Sequence, residues 1–128
     1  MIKLKAKDVP VVRAELLEQQ GGTCPLCNTR PVIPCLDHAH PAGGQQRGWI
    51  RGVLCSGHNM MLGKIENNSA RYGIPIDDLP TFLRLCAAYL DTHKEAVHQM
   101  LHPSSRSPEE KKELARKRRQ RKRNAVQS

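Results

Sequence analysis

The chain has 128 residues, 38% of them apolar and only 3% aromatic, with a formal net charge of +9. That length suits one compact domain with a tail, and the small apolar share implies a core that needs a metal, disulfides or oligomerisation to hold it. No apolar run approaches the roughly 20 residues that cross a bilayer, and no signal-peptide core follows the basic start, so a membrane partner and an exported setting are both disfavoured.

In chain order, Asp8-Val9-Pro10 carries the marks of a helix start. Val9, Val12, Leu16 and Leu17 continue it at helical spacing, and Gly21-Gly22 ends it. Cys24-Pro25-Leu26-Cys27 is a tight turn presenting two thiols. The apolar run Pro31–Leu36 reads as a strand, residues 37–47 as a polar, Gly-rich loop, and Gly48–Leu54 as the return strand. A helix is expected from about Ser56, with Met60, Met61, Leu62 and Ile65 inward, ending near Asn67-Asn68 and Gly73. Asp77–Pro80 starts another, whose apolar stripe runs Leu79, Phe82, Leu83, Cys86, Leu90, Val97 and Leu101. That stripe suits either packing on the rest of the domain or a dimer seam. Pro108–Arg123 has Glu early and Lys/Arg late, which suits a helix dipole, but in isolation its composition favours a frayed or disordered tail. The expected organisation is a core over 1–75, a helical extension over 76–103 and a basic tail over 104–128.

The charge is concentrated in that tail, where residues 109–128 hold nine Lys/Arg against three Glu. Such an excess favours a polyanion as partner. Lys117, Arg118, Arg119 and Arg121 are candidate sequence-independent DNA contacts, and so are Arg47 and Arg51 flanking the return strand. A solvated strand edge is the plain alternative for the last two. With so few aromatics (Trp49, Tyr72, Phe82 and Tyr89), backbone and shape reading is favoured over base stacking.

Five cysteines, an odd number, in a chain without export signals suggest reduced thiols and a metal. Cys24-x-x-Cys27 and Cys55-x-x-His58 are two short chelate pairs, together a tetrahedral zinc set. Four protein ligands leave no open position, so this Zn²⁺ is expected to be structural. Cys35 is expected to be a buried strand residue and Cys86 a core residue of the long helix.

Asp37-His38-Ala39-His40 follows the first strand, and Asn59 directly follows the last zinc ligand. A hairpin and a helix joined by one zinc would bring them to one cleft. Asp37 and the Asn59 amide oxygen are hard donors suited to Mg²⁺ or Mn²⁺. His38 can take a proton from an attacking water. His40, two residues along an extended segment, points the same way and is a candidate to contact phosphate or aid the leaving group.

The motifs C24PLC27, L36DHAH40, R51GVLC55 and H58N59, with Gly63 following, resemble the recombination endonuclease VII family of phages, within the HNH (His-Me finger) nucleases. The similarity extends from about Val9 to His102-Pro103. It implies an α+β, mainly helical fold, with a zinc-stabilised ββα-metal (His-Me finger) core, flanking helices and here a basic C-terminal tail. It implies metal binding by Asp37 and Asn59, His38 as general base, and an intertwined homodimer that resolves branched DNA such as four-way junctions, in host cytoplasm. Two departures stand out. His58 replaces a cysteine of the prototype, and Leu62 stands where the family carries an acid one turn after the Asn, leaving His40 or Glu66 to substitute. Two other functions share many of these features: a general HNH enzyme nicking duplex DNA, and a zinc-containing DNA-binding module without catalysis.

Overall fold

The computed structural model describes residues 1–41 and 46–127. It is mainly helical, with one small sheet. A 3₁₀ turn over Ala6–Asp8 leads into α1 (Val9–Gln19), with Pro10 in its first turn, where the missing N–H is not needed. Gly21 and Gly22, both at φ 79°, end it, their amides returning to Glu18 and Leu17. Two antiparallel strands follow, β1 (Pro34–His38) and β2 (Ile50–Cys55), and β2 runs directly into α2 (Ser56–Ser69). A 3₁₀ turn over Ala70–Tyr72 and another over Ile76–Asp78 lead to α3 (Leu79–Thr92), and α4 (Pro108–Gln127) comes last.

The chain divides into two compact units, Met1–Ala88 and the residues from Tyr89 onward. Among the described residues, the hydrophobic core of the first unit is as small as the composition implies and includes Cys24, Ala39, Val53, Leu54 and Leu79. α1 packs on the hairpin partly through Gln20, the residue after its last turn. The Gln20 amide accepts from the Val53 N–H at 2.7 Å and donates to the Val53 carbonyl at 2.9 Å, pairing with β2 as an extra rung of sheet would. Gly52 makes room for it: a Cβ there would stand 2.8 Å from the Gln20 Oε1.

Several elements differ from the sequence expectation. The first strand begins at Pro34, three residues late, and continues through Asp37 and His38, which were expected in a loop. Val32 and Ile33, apolar and suited to a strand, are 96% and 65% exposed, and the Ile33 carbonyl accepts instead from the Ser56 amide at the start of α2. The Gly-rich part of the expected loop, residues 42–45, lies outside the described residues. Met60 and Met61, expected inward, are exposed, because α2 turns a polar face to the hairpin.

α3 stops at Thr92, so Val97 and Leu101 do not extend its stripe. His93 closes it: its backbone N–H is shared between the Tyr89 and Leu90 carbonyls, and its ring Nδ1 donates to the Tyr89 carbonyl at 2.8 Å. On α3 only Leu79 is buried, while Phe82, Leu85, Tyr89 and Leu90 are exposed.

The basic tail is helical. Ser107 caps α4: its hydroxyl accepts from the Glu110 N–H at 3.1 Å, and the Glu110 carboxylate accepts from the Ser107 N–H at 3.4 Å. Glu109 and Glu110 lie in the first turn, and Glu113 pairs with Arg116 at 2.7 Å. These local contacts offset what composition alone disfavours.

Candidate metal centre and active-site cleft

Cys24, Cys27, Cys55 and His58 converge, with their donor atoms all within 4.8 Å of one another. The first pair sits on a tight loop in which the Cys27 and Asn28 amides both donate to the Cys24 carbonyl, and Asn28 adopts φ 58°. The second pair spans the junction of β2 and α2. Across the cluster, Cys24 Sγ lies 3.9 Å from His58 Nδ1, and Cys27 Sγ lies 3.7 Å from Cys55 Sγ. Zn–S bonds of about 2.3 Å imply sulfur separations of about 3.8 Å in a tetrahedron. Donor chemistry and spacing therefore both fit zinc. Cys35, on β1, and Cys86, on α3, stand outside the cluster and are half-buried.

The thiols oppose one another. Burial by itself would raise Cys24, but hydrogen bonds from the Cys55 backbone and the His58 ring outweigh it and draw the thiol down to about 6. Burial, together with Cys27 and Cys24 nearby, pushes Cys55 up to about 11. A hydrogen bond from Thr29 lowers Cys27, and the Cys24 contact raises His58. An anionic sulfur is thus favoured at one position at the expense of another, and a divalent cation would relieve the conflict.

Asp37 is buried, and a register irregularity between Asp37 and His38 explains its partner. Asp37 pairs with Gly52 and His38 with Ile50, so Arg51 is the extra residue on β2. Its guanidinium turns to both sides. One edge donates to Asp37 at 2.7 and 3.0 Å, and the other to Glu66 of α2 at 2.7 and 3.0 Å. Both carboxylate side chains are 6% exposed, and Glu66 and Asp37 hold Arg51 firmly protonated. Arg51, expected at a DNA phosphate, is engaged within the protein. This trio is invisible to sequence reasoning, because a bulge leaves no local signature; Glu66 stands out in the sequence only as a candidate to replace the acid absent at Leu62.

His38 is exposed at the end of β1, its ring centroid 5.0 Å from that of His40. His40 lies against α2 where Gly63 leaves space: a Cβ at Gly63 would stand 3.5 Å from His40 Nε2. Asn59, Gly63 and Glu66 are four and three residues apart, so they share one face of α2. That face is the one turned to Asp37 and His40. The spacing sets Asn59 about 10 Å along the helix from Glu66. Arg47 stacks on Trp49, its Cζ 4.7 Å from the ring centroid. Lys117, Arg118, Arg119 and Arg121 are exposed on α4.

A two-stranded hairpin running into a helix, with a Cys₃His cluster at the junction and a buried acid beside paired histidines, defines a small, mainly helical module whose cluster could bind zinc. Comparison makes the class specific: the model of the recombination endonuclease VII family matches residues 3–92. The chain belongs to that family, and with it to the nucleases that act on DNA. No curated protein matches the chain.

Proposed function

We propose that this protein is a metal-dependent DNA endonuclease with a His-Me finger core, acting on branched DNA such as four-way junctions. The observation that carries the reading is the meeting of β1 and α2: an exposed His38 and a half-buried His40 beside a buried carboxylate, facing the helical side that bears Asn59. The zinc cluster holds β2 and α2 to the first cysteine loop, so its part is to fix that meeting.

Asp37 and the Asn59 side-chain oxygen would hold the catalytic cation, Mg²⁺ or Mn²⁺. Asp37 accepts two hydrogen bonds from Arg51 and keeps further lone pairs for a cation, which fits a hard ion. When bound, the ion supplies charge to polarise the phosphate and stabilise the leaving oxygen. His38, open to solvent, takes the proton of the attacking water. His40, steadied against Gly63, is placed to contact the phosphate. Arg51 orients the Asp37 carboxylate and is itself fixed by Glu66, which makes Glu66 a positioning residue. Support for a homodimer comes from the exposed apolar side of α3, which has hydrophobic surface to bury against a second copy. The exposed basic residues of α4 would add sequence-independent affinity.

The engagement of Asp37 by Arg51 favours one other reading, a zinc-containing DNA-binding module without catalysis. The test is Mg²⁺-dependent cleavage of four-way-junction, duplex and single-stranded DNA by the unaltered chain and by His38→Ala. Cutting that falls by about 10²–10⁴-fold in the variant, with fold and DNA binding kept, is the expected result. No cutting by either protein would leave the binding module as the answer.

A further inference from the structure

Beyond the imidazole pair lies a cleft of about 800 Å³, with His40, Arg47, Trp49, Glu66, Asn67 and Ile76 among its walls. Its size falls in the range of roughly 300–1,000 Å³ typical of pockets that take a small organic ligand. Since His40 is part of the wall, the cleft opens directly onto the proposed site of cleavage.

The two arginines near this site differ sharply. Arg51 is saturated by two carboxylates. Among the described residues Arg47 has no ion pair, and its Nε is buried without a hydrogen-bond partner. What holds it is the ring of Trp49, the chain's single tryptophan, itself 43% exposed. A guanidinium N–H withdrawn from water and left without an acceptor is costly, and a phosphate oxygen is an acceptor that suits it. The flat face of the stacked pair suits a nucleobase, since bases stack on both aromatic rings and guanidinium planes. Asn67 and Gln46 add amide groups able to meet the hydrogen-bonding edge of a base, and Ala70, Pro75 and Ile76 give apolar surface beneath.

We propose that this cleft receives one unstacked nucleotide of the DNA substrate, its phosphate at Arg47 and its base on the Arg47–Trp49 platform, next to the phosphodiester bond that is cut. The proposal rests on the nuclease reading and deepens it. A continuously stacked duplex has no base free to enter a side cleft, whereas a branch point, bulge or mismatch does, because such a base is cheaper to unstack. Selectivity for distorted DNA would then arise within a single chain.

The experiment uses the full chain and a duplex carrying one bulged 5-iodouracil, with the same base fully paired as control. Irradiation should crosslink the bulged base to the Trp49 region and leave the paired base unlinked. Arg47→Gln and Trp49→Leu should each weaken binding of the bulged duplex about tenfold, while Trp49→Phe, which keeps a ring, should retain it. A crosslink outside the cleft, or equal affinity of all four proteins for the bulged duplex, overturns the proposal. Failure of the nuclease reading shows differently, as absence of cutting by the unaltered chain on every DNA.

Discussion

The Cys/His cluster and the Asp37–Arg51–Glu66 trio are both built on β2, and they treat charge in opposite ways. In the first, three thiols and an imidazole crowd together, and the proton affinities of the thiols pull apart, Cys24 toward about 6 and Cys55 toward about 11. In the second, a guanidinium lies between two carboxylates and meets each with a two-pronged set of hydrogen bonds. One cluster could hold an ion from outside, and the other supplies its own counter-charge. On the function proposed above, the soft site is a folding element and the hard site a preset one that a cation joins later.

The largest effect expected from this contrast is on stability. Chelation of zinc, or Cys55→Ser, should abolish the cooperative melt, because zinc binding in small modules supplies on the order of 10 kcal/mol and the buried apolar core among the described residues is small. The measurement is a thermal melt followed by circular dichroism, with and without a strong chelator. A metal-free protein that still melts cooperatively would erase the distinction between the two clusters.

A second, smaller effect is expected at Gly52, which pairs with Asp37 in the hairpin and sits under the Gln20 amide. Gly52→Ala would set a methyl 2.8 Å from an oxygen that cannot simply swing aside, since Gln20 is bonded to both polar groups of Val53. The expected cost is about 1–3 kcal/mol, read as a lowered melting temperature of the zinc-loaded protein. An unchanged melt would mean that the Gln20 rung contributes nothing to holding α1 on the sheet.

The same contrast governs what the sequence reveals. The Cys/His cluster is legible because each chelate pair is local, its two members three positions apart. Asp37, His38 and Asn59 are legible as motif members, though the strand holding the first two was expected to end before them. The Arg51 clamp is not legible, since it depends on one extra residue in β2 and on the rotation of α2. Reading α2 by hydrophobicity puts Met60 and Met61 inward, yet they are 60% and 65% exposed while the Glu66 side chain is 6% exposed. A helix that turns its polar side inward violates the usual pattern at the place where the chemistry is proposed, which is where such violations are expected. The stripe of α3 was legible as a period, but a period names no partner. The tail is legible as a segment whose charges suit a helix dipole but not as a stable helix, because its cap lies in one side chain, Ser107, that composition does not weigh.

The smallest change in stability, and the sharpest test of the second cluster, is expected at Glu66. Glu66→Ala removes one of two carboxylates from a guanidinium that is 29% exposed, so water can replace part of the loss and the cost should be about 1 kcal/mol. The consequence for function is larger than that figure suggests. With both acids present the trio carries one net negative charge; without Glu66 the remaining Asp37–Arg51 pair is neutral, and Arg51 gives its whole charge to Asp37. A divalent cation is drawn to the first arrangement and not to the second. Glu66→Ala should therefore raise the Mg²⁺ concentration needed for half-maximal cutting while barely moving the melting temperature. Glu66→Gln keeps a hydrogen-bond acceptor but not the charge, so it should match the alanine variant in Mg²⁺ requirement and exceed it in stability. If the glutamine variant instead behaved like the unaltered protein in both measurements, geometry rather than charge would be what Glu66 provides, and the trio would be a structural clasp.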